Sequence, residues 1–134
     1  MPNASTLQFL LTLAKGIASQ FGPNCEVVVH DLATNDPERS IVAIENGHVT
    51  GRKVGDGPSH VVLEALRGNP EQLHDHLSYL TRTKDGKILK STTIYIRDDD
   101  GAPIGIFGIN YDITLMLAME NAIKQFTATE KDEK

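Results

Sequence analysis

Residues 90–112 read KSTTIYIRDDDGAPIGIFGINYD, and this stretch limits the folds open to the chain. Residues 91–97 are rich in Thr, Ile and Tyr, the residue types that suit a pleated surface. Asp98, Asp99, Asp100 and Gly101 interrupt the pattern, and Pro103 has no N–H to give a ladder, so the chain must turn there. A second strand is predicted over 104–111. Alternation puts Ile104, Ile106, Gly108, Asn110 and Asp112 on one face, and Gly105, Phe107, Ile109 and Tyr111 on the other. Large apolar groups on both faces predict a central hairpin in a sheet covered on both sides. Gly105 and Gly108 mark places where another group comes close to the sheet.

The rest of the chain supplies the partners of that hairpin. Residues 3–21 carry Leu7, Leu10, Leu11, Ala14, Ile17, Ala18 and Phe21 at helical spacing. Ser5 and Gln8 stand at capping-box spacing, and Gly22-Pro23 stops the helix. Phe9 and Leu13 widen the stripe beyond one packing surface, which points to a partner chain as well as the sheet. Residues 25–31 (CEVVVHD) and 40–46 (SIVAIEN) read as an antiparallel pair of strands. Residues 51–57 form a Gly-rich loop, and 58–67 read as a short helix ending at Gly68. A third strand is predicted over 79–84, with Asp85-Gly86 as its turn. Thr114 is placed as the cap of a final helix with Leu115, Met116, Met119, Ala122, Ile123 and Phe126 in its stripe. Residues 127–134 are polar and are expected to fray.

With 134 residues, the chain is the size of one domain, assigned here to 1–126. The net charge of −5 argues against this chain alone holding a nucleic-acid backbone. The single Cys excludes an internal disulfide. No apolar run reaches membrane length, so the expectation is a cytoplasmic protein with no membrane partner. The predicted architecture is α+β: a five-stranded antiparallel sheet with a helical flank and helices at both ends. That is the element order of a PAS domain.

Three segments sharpen this: GPNCEVVVHDL, SIVAIENGHVTGRKVGD and TKDGKILKSTTIYIRDDDGAPIGIFGIN. Together they resemble the YheO-like PAS domain of bacterial transcriptional regulators, over about residues 7–112. NGHVTGRKVG and GKILKSTTIYIR are the most specific pieces. The resemblance implies a sensory domain that signals to DNA through a helix-turn-helix, which this chain does not contain. It also implies a small ligand such as an amino acid. One departure is Gly108, where the family pattern carries Cys.

The candidate ligand-binding residues are His30, Asn46, His48, Arg52, Lys90, Ser91, Thr93 and Asn110. His30 and Asp31 point to opposite faces of a strand, so they do not make a catalytic dyad. Asn46-Gly47 supplies a positive-φ turn, while Arg52 and Lys53 are suited to a carboxylate, Arg52 bidentately. Lys90 and Thr92 share one face, Ser91 and Thr93 the other, and the sequence leaves open which pair lines a pocket. Asn110 suits an ammonium or amide, whereas Asp112 is read as a helix cap. His74-Asp75-His76 lacks a third metal ligand at suitable spacing. Cys25 begins a strand, unlike the helical Cys of flavin-binding light sensors, and no His stands out as a haem ligand. No cofactor and no metal are therefore expected. No nucleophile–base–orienter set is visible, which favours a binding domain over an enzyme. The alternatives are a ligand-free homodimerisation module and, third, a small enzyme using His30 or Lys90.

Overall fold

The computed structural model describes residues 4–33, 39–56 and 67–130. Its order is helix α1 (Ala4–Phe21), strands β1 (Cys25–Asp31) and β2 (Ile41–Glu45), two 3-10 turns (Gly47–Val49 and Pro70–Gln72), strands β3 (His76–Arg82), β4 (Ile88–Arg97) and β5 (Pro103–Asp112), and helix α2 (Thr114–Thr127). The expected helix over 58–67 falls almost wholly outside the described residues. The strands form one antiparallel sheet in the order β2-β1-β5-β4-β3. The long hairpin is central, as its two apolar faces require: β5 pairs with β1 on one side and β4 on the other.

Every residue of β1 is buried. Its odd positions Cys25, Val27 and Val29 pack with Phe107 against Leu10, Ala14 and Ala18 of α1. Two alanines on the contact stripe bring the helix backbone close to the sheet, so a small helical surface suffices to cover this face. Leu7 and Ile17 extend the contact, but Phe21 is 58% exposed and turns away from it. Ser5 lies inside the helix rather than at its cap.

Several boundaries differ from the sequence expectation, β4 for instance beginning at Ile88 rather than 91 and β3 ending at Arg82 rather than 84, and three differences have a local reason. Pro103 is inside β5, opposite Arg97, where a register shift spares the ladder the missing N–H. β3 begins at His76 rather than 79 because Ser78 adopts a left-handed φ of 54° and bulges the strand. Thr114 is the first helical residue, not the cap. Asp112 does the capping, its Oδ1 accepting the Thr114 N–H at 3.0 Å and hydroxyl at 2.6 Å.

No residue of α2 is buried. Leu115, Met116, Met119, Ile123 and Phe126 are all exposed, Phe126 to 91%. No helix among the described residues is long and apolar enough to cross a membrane.

Candidate ligand cleft

The sheet face opposite α1 lines an open cleft of about 960 Å3. Its floor is one register row. Tyr79, Ser91, Asn110 and Glu26 stand directly opposite one another across β3, β4, β5 and β1. Alternation sends all four side chains to the same face. The next row adds Thr93 opposite Gly108 and Gly108 opposite Val28. Gly108 is small there for a packing reason, since a Cβ would stand 3.0 Å from Val28 Cγ1.

These groups form a directed hydrogen-bond chain. Glu26 is an acceptor only, is 0% exposed, and anchors one end. Its Oε1 accepts Asn110 Nδ2 at 2.8 Å and lies 3.4 Å from Arg52 Nη2. Its Oε2 accepts the Thr50 N–H at 3.1 Å and hydroxyl at 2.5 Å. Because Asn110 donates to Glu26, its Oδ1 faces Ser91, which donates to it at 2.7 Å. Ser91 has then spent its proton, so Thr81 donates to it at 2.8 Å. Arg52 also donates from Nε to Thr50 Oγ1 at 3.0 Å. One buried carboxylate on β1 thus fixes the orientation of side chains from the three other strands β5, β4 and β3 and from the loop after β2.

His30 sits deeper in the same cleft, 3% exposed, with Nδ1 2.9 Å from Ser40 Oγ. Burial, with a smaller contribution from the Arg52 charge, pushes its pKa down to about 4. At neutral pH it is an uncharged donor–acceptor. The Tyr79 hydroxyl meets Thr93 Oγ1 at 2.7 Å on the opposite wall. At one end, Leu32, Leu73, Tyr95 and Ile106 make a second small core. Arg97 holds it by donating to the Leu73 carbonyl at 2.6 Å, and Asp75 by accepting the Tyr95 N–H at 2.9 Å.

The structure brings most of the expected residues together. His30, His48, Arg52, Thr93 and Asn110 line the cleft, and Ser91 lies in its hydrogen-bonded floor. Two are placed elsewhere. Lys90 is exposed on the opposite face, because Ser91 rather than Lys90 is in register with Asn110. Asn46 does not line the cleft either. Its Nδ2 donates to the carbonyls of Gly22 at 3.1 Å and Cys25 at 2.9 Å, bracing the end of α1 against the exit of β2. Asn46 has the positive φ of that turn, and Gly47 is needed because a Cβ there would collide with the Arg52 carbonyl. Sequence reasoning missed Glu26, Tyr79 and Lys87. The signal for Glu26 was available: it is the one carboxylate inside an otherwise apolar run, Cys25 to Val29.

The family model of the YheO-like PAS domain matches residues 1–128. The chain belongs to that family, and its fold is the PAS fold. It is 35% identical over 115 residues to an uncharacterised protein of Haemophilus influenzae, covering 86% of this chain and 50% of that one. It is 38% identical over 106 residues to the uncharacterised protein YheO of Escherichia coli, covering 73% and 40%. The transcriptional regulator DauR of Pseudomonas aeruginosa is 29% identical over 126 residues, covering 94% of this chain and 56% of DauR. The chain thus spans about half the length of the curated relatives it matches. Among solved structures, a light-oxygen-voltage domain aligns with TM-score 0.49 and 20% identity over 85% of this chain and 93% of that one.

Proposed function

We propose that this domain is the ligand-sensing part of a cytoplasmic bacterial transcriptional regulator, and that its ligand is a small polar metabolite such as an amino acid. The observation that carries the reading is the cleft. It has metabolite-scale volume, and its lining sets the polar groups of His30, Thr93, Asn110 and Arg52 among the apolar Val28, Leu89 and Ile106. That argues against the alternative of a ligand-free module with a filled core. His30, uncharged at pH 7, and Thr93 offer neutral hydrogen bonds, while Arg52 and Lys87 put positive charge at the mouth, which suits an acidic ligand. The family membership and the likeness to DauR support the regulatory setting. DNA contact is assigned to a helix-turn-helix outside this chain. The ligand acts by binding one arrangement of the terminal helices better than another, and shifts the population only by that difference.

A thermal-shift screen against L- and D-amino acids tests this. A compound that binds only the folded state raises Tm, increasingly with its concentration over Kd. A dose-dependent rise with one chemical class is expected. No rise with any amino acid, from a folded sample, rules out the amino-acid reading.

The exposed apolar side chains of α1 and α2 support a homodimer. Phe9, Leu13 and Phe21 on α1, with Leu115, Met116, Met119, Ile123 and Phe126 on α2, are exposed large apolar side chains of the kind that a partner surface covers. Sedimentation at micromolar concentration is expected to give a dimer, and a monomer there contradicts it.

A further inference from the structure

The cations at the cleft mouth are not equally available. Arg52 is held by the buried Glu26 and by Thr50. Lys87 is different. Its Nζ donates to two neutral carbonyls, His48 at 3.2 Å and Val49 at 3.0 Å. The Asp85 carboxylate is 67% exposed, stands 3.8 Å away through Oδ2, and accepts the Thr83 hydroxyl at its Oδ1. An ammonium bonded mainly to neutral carbonyls exchanges them readily for a carboxylate, because a charge-assisted hydrogen bond is the stronger one.

Lys87 also sits next to the root of α2. The Ile88 N–H donates to Thr114 Oγ1 at 2.8 Å, and the Ile113 N–H donates to the Ile88 carbonyl at 2.9 Å. The Lys87 backbone is pinned on its other side, its N–H donating to Thr83 Oγ1 and its carbonyl accepting the Thr83 N–H. The adjacent pair Lys87 and Ile88 therefore joins the β3–β4 turn, the turn after β2 and the first turn of α2.

We propose that Lys87 is the partner of the ligand's carboxylate, and that its transfer from the His48 and Val49 carbonyls to that carboxylate is the step that carries cleft occupancy to α2. This rests on the sensor reading above and adds to it the carboxylate's partner and the route to the helix. Of the two residues whose carbonyls are released, His48 is exposed to water and Val49 is buried. Ile88 moves with Lys87, and the two backbone bonds to Ile113 and Thr114 pass the change to α2.

Two measurements on the chain decide it. The first needs no ligand. In amide hydrogen exchange, Lys87→Met cuts the clasp without shortening the side chain. Segments 47–52 and 113–119 are both expected to exchange at least about threefold faster than wild type, with Lys87→Arg restoring most of the protection. Faster exchange confined to 47–52 overturns the route to α2. The second compares amino acids with their α-amides by thermal shift. Wild type is expected to respond to the acid and little to the amide, and Lys87→Met to respond weakly to both. An equal response of wild type and Lys87→Met to the acid overturns the assignment of Lys87 and leaves the sensor reading standing. If no amino acid stabilises wild type, the amino-acid reading and the carboxylate assignment both fall, and the ligand-free exchange experiment still decides the clasp.

Discussion

Glu26→Ala is expected to be among the most destabilising single substitutions in this domain, costing on the order of 3 kcal/mol. Its carboxylate is fully buried and accepts from Asn110, from both Thr50 donors and from Arg52. Removing it leaves the Asn110 amide and the Thr50 N–H without an acceptor, and it empties space between sheet and loop. Arg52, partly exposed, turns to water and recovers some of its loss. Glu26→Gln keeps the shape but brings an NH2 group that faces existing donors. It is expected to cost less than Ala while still disordering the direction of the chain from Thr81 to Glu26. Urea unfolding of the three proteins checks this. Equal midpoints for wild type and Glu26→Ala would mean that the network does not organise the cleft.

The second large effect is on pH dependence. His30 has a folded-state pKa of about 4, against an ordinary value of 6.5. The unfolded chain therefore takes up the proton first as pH falls. Above pH 6.5 both states are neutral and His30 adds no slope. Between pH 6.5 and 4 the unfolded state gains about 1.4 kcal/mol per unit, so folding loses up to roughly 3 kcal/mol over that window. The facing groups are Ser40, which is neutral, and Arg52, whose charge opposes protonation. In His30→Gln this part of the slope is expected to vanish, leaving the carboxylates to dominate below pH 5. Parallel stability curves for the two proteins from pH 7 to 4.5 would show that His30 is protonated in the fold.

The sheet was legible because its signals are local. Alternation in 104–112 already separated the cleft face of β5 from the α1 face, and the two apolar faces placed that hairpin inside the sheet, while the strand order came only from the structure. What was not legible depends on partners distant in sequence. Lys90 and Ser91 differ in role only because Asn110 of β5 faces one and Tyr111 the other. Asn46 reads as a turn residue with a free amide until Gly22 and Cys25 present their carbonyls to it. Glu26 stood out as a carboxylate in an apolar run, but what it holds was hidden because its partners lie 24, 26 and 84 residues away. Lys87 has its partners 38 and 39 residues back, across the cleft mouth. β3 was misbounded because the left-handed Ser78 breaks the alternation that would have marked its start.

The most direct test of a ligand cleft on this face is an amide chemical-shift titration of the labelled domain with the amino acid that most raises Tm. The expected result is saturable shifts grouped at Val28, His30, Thr50, Thr93, Gly108 and Asn110, with smaller ones at Ile113 and Thr114. Shifts confined to the exposed faces of α1 and α2, with the cleft amides unmoved, would contradict it.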